Sequence, residues 1–231
     1  MITVVGVHGA RTVAAFALGH GEDPLDGLHA RGWTGRAERV EGVRGDLTLR
    51  YAVDPARPGA ASTGPGGPQG PGLDATERAG VTPHQRVAAY AVVVEDGRLL
   101  LTQLAARTGA GGRWNLPGGG LDPGEGPRDA VVREVLEETG QVVEGVELVD
   151  VMTQHWIGRS PRGLEDYHAV RLLHTARCPR PTAPVVHDVG GSTADARWVR
   201  LDELGSVEVV ASVAVALRAA GVADLHAGPQ S

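Results

Sequence analysis

The sequence predicts an α/β protein: an α/β/α sandwich built on a mixed sheet, preceded by a small N-terminal segment. Three observations carry that expectation. After residue 84, strand-like and helix-like stretches follow one another in a mixed order. Before it lies an interruption, Pro55 to Gly72, in which 11 of 18 residues are glycine or proline. The composition, 42% hydrophobic and 22% charged over 231 residues, is enough to bury a core and stay in water.

In the N-terminal segment, residues 1–54, Ile2 to Val7 reads as a strand and Arg11 to Leu18 as a helix. Asp46 to Val53 alternates apolar and polar residues over much of its length, as a half-buried strand does. About fifty residues are marginal for independent stability. The segment is therefore expected to pack on the larger region or on a second copy in a homodimer. His8, His20 and His29 are scattered along it and read as surface histidines, without chemistry. Residues 55–83 read as a flexible tether, because a stretch with no apolar face cannot offset its ordering entropy.

The larger region spans 84–225. Arg86 to Glu95 and Leu99 to Leu104 read as two strands joined by the turn Glu95-Asp96-Gly97-Arg98. A glycine-rich loop, Thr108 to Glu125, leads into a helix from Pro127 to Thr139. Pro127 suits its first turn and Gly140 its C-cap. Strands near Glu147–Trp156, Tyr167–Ala176 and Ala196–Leu201 follow, then a closing helix over Val207–Ala219.

Charge and cysteine usage narrow the function classes. The formal net charge is −6 and all 22 basic residues are arginine, which argues against general nucleic-acid or membrane-surface binding. A single cysteine, Cys178, excludes an internal disulfide and a multi-cysteine zinc site and fits a cytoplasmic protein. The opening stretch lacks the basic flank of a signal peptide, and no window approaches the roughly 18 apolar residues of a membrane span.

The chemistry is concentrated on one helix. At 100° per residue, Val131, Val132, Val135 and Leu136 fall within roughly a 140° arc, a core-facing stripe. Glu134, Glu137 and Glu138, spaced i, i+3 and i+4, gather on roughly the opposite side. Like charges so close repel, and water, arginine partners or divalent cations can relieve them. Arg133 lies one turn before Glu137, but one arginine cannot neutralise three glutamates. Carboxylate oxygens on a rigid helix suit Mg²⁺, which leaves positions for water and substrate phosphates.

The wider spacing is specific: Gly119, five residues, Glu125, seven residues, then Arg133-Glu134-Val135-Leu136-Glu137-Glu138-Thr139-Gly140. A chance match at these positions is on the order of 10⁻⁵. The string resembles the Nudix box, Gly-x5-Glu-x7-Arg-Glu-U-x-Glu-Glu-x-Gly-U with U a bulky aliphatic residue, and departs from it only at the last position, Gln141. The approach Trp114-Asn115-Leu116-Pro117-Gly118-Gly119-Gly120 is also similar to the family's.

The resemblance implies that Glu134, Glu137 and Glu138 are ligands of Mg²⁺ or Mn²⁺, one of them also available as base. It implies that Glu125 holds a metal-bound water, that the Gly119 or Gly118 carbonyl is a further ligand, and that Arg133 orients the glutamates. The implied reaction is attack by water on a diphosphate linkage of a nucleoside diphosphate derivative, a small-molecule substrate. Glycines 118–120 invite a phosphate-loop reading, but no Gly-Lys-Ser/Thr follows them. An extra carboxylate from outside the box is expected at Asp188, with Asp195, Glu165 and Asp166 as other candidates and His187 beside it. Arg107 and Arg113 are candidates for phosphate contact and Trp156 for stacking on a base. Two other readings stay open: a module that senses a nucleotide metabolite without cleaving it, and an isomerase acting on a diphosphate-bearing substrate.

Overall fold

The computed structural model describes residues 1–57, 68–160, 163–188 and 190–222. The chain opens with β1 (Ile2–His8), turns at Gly9 in the left-handed region (φ 59°), and returns as antiparallel β2 (Arg11–Ala17). The helix expected over Arg11–Leu18 is thus a strand. Its alanines favour helix, but so short a segment cannot hold one alone, and β1 offers partners from Thr3–Ala17 to His8–Arg11. A short helix, α1 (Pro24–His29), follows, with Asp23 as N-cap accepting from the Leu25 and Asp26 amides. Strands β3 (Trp33–Val43) and β4 (Asp46–Pro55) complete a sheet of order β2-β1-β4-β3, in which β1 and β4 run parallel. Val4, Leu28, Leu47, Leu49, Tyr51 and Val53 are buried here.

Of the tether expected at 55–83, residues 58–67 lie outside the described residues. The described remainder carries structure of its own. The Gln69 amide donates to the His155 carbonyl, the Gly72 amide donates to the Ile157 carbonyl, and α2 (Ala75–Ala79) begins with a reciprocal Asp74–Glu77 capping box.

The second sheet is built from β5 (His84–Glu95), β6 (Arg98–Leu104), the short β7 (Trp114–Asn115) and β8 (Gly118–Gly120), then, after helix α3 (Pro127–Thr139), β9 (Glu144–Ser160), β10 (Gly163–Arg177) and β11 (Thr193–Arg200). Its order is β11-β6-β5-β10-β9, with β7 on β6 and β8 on β5. Between β5 and β6, Asp96 and Gly97 both have positive φ, 49° and 70°, the backbone of a two-residue hairpin turn. The closing helix, α4 (Ala211–Ala219), starts later than expected. The β-branched residues before it are extended: Val209 bridges Trp114, and the Val210 amide donates to the Trp114 carbonyl.

The chain forms two compact units: Met1–Ala88 with Gly120–Pro127 and Val151–Leu172, and Ala89–Gly119 with Arg128–Asp150 and Leu173 onward. In the second, Ala130, Val131 and Val135 of α3 are fully buried. The expected stripe is rotated. Val132 and Leu136 are 39% and 44% exposed, whereas Glu138, expected opposite the stripe, is only 4% exposed. Glu138 lies three residues from Val135 and seven from Val131, so it shares their side of the helix, and hydrogen-bond donors waiting there make its burial tolerable.

Gln141, which replaces the aliphatic residue of the box, is 1% exposed and fully engaged. Its side-chain carbonyl accepts from the Thr182 amide at 2.9 Å, and its amide donates to the Thr139 carbonyl at 3.1 Å and the Thr182 hydroxyl at 3.0 Å. The thiol of Cys178, equally buried, points at the same Gln141 oxygen at 3.7 Å, and burial pushes its pKa up. No helix among the described residues is long and apolar enough to cross a membrane.

Candidate active site

Strand β8 and helix α3 bring glycine backbone and carboxylates together. Gly118 (φ 144°) packs against the Ala89 carbonyl and Tyr90, leaving no room for a side chain, and its amide donates to Glu138 Oε2 at 3.0 Å. The other carboxylate oxygen of Glu138 accepts the Thr193 hydroxyl. A Cβ on Gly119 would meet the Glu134 carboxylate carbon at 2.7 Å, so the absence of a side chain lets that carboxylate lie against the strand. Arg133 Nη1 donates to Glu134 at 3.0 Å and to Glu137 at 3.2 Å. Glu134 is therefore nearly covered and Glu137 half exposed, at 15% and 47% of their side chains.

Burial pushes the Glu138 carboxyl up to about 7. The bonds from Thr193 and Gly118 oppose this, and the nearby negative charges of Glu134 and Asp188 add to it. Asp188 reaches this neighbourhood because its amide, and that of His187, donates to the Glu137 carbonyl at 3.0 and 2.8 Å.

The remaining candidates stand on other elements. Glu125 is in the first unit, where its carboxylate accepts from the Asp122 amide at 2.8 Å and its carbonyl accepts from the Arg44 amide. Arg113 pairs with Glu208 at 2.9 Å on the surface, and Arg107 is exposed in the loop after β6. Trp156 is half-buried on β9, its ring against Gly70. Trp114 is buried beneath the Arg197 guanidinium, 5.0 Å from its ring centre. Asp195 pairs with Arg197 at 2.8 Å, and Glu165 is half-buried on β10.

A second titratable cluster lies in the first unit and was not legible in the sequence. His20 Nε2 and His155 Nε2 each lie 2.7 Å from Asp166 Oδ1. His20, expected to be a plain surface histidine, has only a quarter of its side chain exposed. The ring of His168, fully buried, stands edge-on to both histidines, 5.6 and 6.1 Å away between centres. Burial alone would raise the Asp166 pKa, but hydrogen bonds with His155 and His20 bring it below the usual carboxylate value. Nothing in the local sequence marks this group, whose members are up to 146 residues apart.

A mixed α/β fold thus sets a cluster of glutamates against a glycine strand. The NUDIX domain model matches residues 82–218, so the chain belongs to the Nudix family and is an enzyme of that hydrolase family. A MutT-like protein of Streptomyces ambofaciens is 40% identical over 121 residues, 52% of this chain and 67% of that one. The CTP pyrophosphohydrolase of Escherichia coli K12 is 42% identical over 50 residues, 22% of this chain and 37% of the relative, so the chain spans well under half of that protein's length. Among solved structures, a MutT NUDIX hydrolase from Burkholderia pseudomallei is 30% identical, with a TM-score of 0.48 over 58% of this chain and 97% of that one. Nudix hydrolases act on nucleoside diphosphate derivatives and generally use divalent metal ions.

Proposed function

We propose that this enzyme hydrolyses the diphosphate linkage of a nucleoside diphosphate derivative by attack of water on phosphorus, with Mg²⁺ or Mn²⁺ as cofactor. One observation carries the reading: a carboxylate, Glu138, is sunk to 4% exposure beside Glu134 and Asp188, with Arg133 as the nearby countercharge. The donor set fits a hard ion, being all oxygen and mostly carboxylate. When bound, such an ion neutralises phosphate charge and polarises the phosphorus centre. Glu134, Glu137, Glu138 and the Gly119 carbonyl are the residues that would hold it, with Asp188 as the extra carboxylate and Glu125 on a bound water. Arg133 keeps Glu134 and Glu137 oriented, and one of the glutamates takes the proton of the attacking water. Arg107 and Arg113 are assigned to substrate phosphate and Trp156 to the base. The hydrolase region is assigned to 84–225, with the NUDIX match over 82–218 as its support, and 1–54 to a small N-terminal segment that precedes the 55–83 stretch.

The test is cleavage of a panel of nucleoside diphosphate derivatives, with the two phosphate-bearing products read by mass spectrometry with and without Mg²⁺. Wild type is expected to turn over only with metal. Glu137→Gln and Glu138→Gln are expected to lose on the order of 10²–10⁴-fold with the fold intact. Undiminished turnover in both variants would overturn the assignment.

A further inference from the structure

The histidine cluster of the first unit has no part in the proposed hydrolysis, and its make-up is that of a different metal site. Two imidazole nitrogens and one carboxylate oxygen, His20 Nε2, His155 Nε2 and Asp166 Oδ1, lie within 4.8 Å of one another. Ligand atoms roughly 2.0–2.2 Å from one tetrahedral ion stand about 3.4 Å apart, so both nitrogens, now 2.7 Å from the oxygen, draw back slightly to admit it.

The surrounding residues hold the rings in place. The Gly19 amide donates to Glu22 Oε2 at 2.8 Å, and the Asp23 carboxylate that caps α1 also accepts the Thr153 hydroxyl of β9. This fixes the loop that carries His20. Gly21 (φ 77°) packs so closely on His155 that a Cβ there would come within 2.6 Å of the ring. His155 and Asp166 stand on β9 and β10, and their side chains are only 14% and 10% exposed.

A further histidine backs the cluster. His168, on the same strand as Asp166, is wholly buried among these rings, and Gln85 holds its Nδ1 at 2.9 Å. The Glu22 backbone is a further hydrogen-bond partner of this ring, so His168 packs behind the three ligands rather than joining them.

We propose that His20, His155 and Asp166 form a binding site for Zn²⁺ or an ion of similar borderline softness. Imidazole-rich donors select such ions over Mg²⁺, which prefers oxygen and keeps its waters. The ion ties the β2–α1 loop to β9 and β10, a cross-link between segments distant in sequence. The proposal does not depend on the hydrolase reading.

The experiment uses the full chain, stripped with chelator, equilibrated in excess Mg²⁺ to fill any oxygen-donor site, and titrated with Zn²⁺. Metal content by elemental analysis and heat by calorimetry are expected to give one Zn²⁺ per chain, with a higher Tm. The Glu137→Gln/Glu138→Gln double variant is expected to take up the same equivalent. His20→Gln, Asp166→Asn and His155→Gln are expected to lose it together with the Tm rise. His20 is partly exposed on a loop, so its variant keeps the fold, which circular dichroism verifies. Absence of stoichiometric uptake by wild type, or undiminished uptake in a folded His20→Gln variant, would overturn the site.

Discussion

Helix α3 and the histidine cluster hold carboxylates by opposite means. On α3, Glu138 is enclosed by a backbone amide and a hydroxyl, and burial drives its pKa up to about 7. At Asp166 two imidazoles face one oxygen, and the pKa goes down. The difference lies in what faces the buried charge. Neutral donors beside further carboxylates leave Glu138 short of positive charge, whereas two chargeable rings supply it locally to Asp166. The two proposed sites differ accordingly, one suited to a hard cation among oxygens and the other to a softer one among nitrogens.

The largest expected effect that sharpens this contrast is on turnover. Gly119→Ala drives a methyl group into the Glu134 carboxylate, and a fall of roughly 10–10²-fold in kcat/KM with little change in Tm is expected. Full activity in that variant would separate Glu134 from the chemistry.

A smaller effect is on stability without metal. The Glu138 carboxyl is raised from 4.5 to about 7 on folding, so its contribution is complete below pH 4.5 and is lost as pH climbs through about 7. In chelator, wild type should lose on the order of 2 kcal/mol relative to Glu138→Gln between pH 4.5 and 8. Excess Mg²⁺ should close the gap. Denaturant melts of the two proteins at both pH values measure it, and parallel pH profiles would remove the buried charge from the account.

Gln141→Leu ranks next. The change to an aliphatic residue strands the Thr182 amide and the Thr139 carbonyl, with an expected loss of about 1–3 kcal/mol in a denaturant melt. Smallest is Arg113→Ala. Its pair with Glu208 is exposed, so no more than about 1 kcal/mol is expected to go, while a rise in KM would implicate Arg113 in substrate binding.

What could be read from the residues was local. The helix Pro127–Thr139, its end at Gly140 (φ 67°) and the hairpin at Asp96-Gly97 follow from propensity and turn chemistry over a few positions. The grouping of Glu134, Glu137 and Arg133 follows from helical spacing. Which side of α3 is buried did not follow, because Thr193 and Gly118, brought in from other strands, admit Glu138 to the interior in place of Val132 and Leu136. Arg11–Ala17 failed likewise: its pairing with β1 outweighs what its alanines prefer alone. The cluster at His20, His155 and Asp166 has no periodicity to detect, since three separate elements supply it.

The lone thiol gives the protein a built-in gauge. Cys178 is sealed to 1% exposure behind the Gln141–Thr182 bonds, and no second sulfhydryl competes for a reagent. The speed at which an alkylating probe labels the native chain therefore counts how often that corner springs open, residue by residue of denaturant or degree by degree of heat, with no engineered tag.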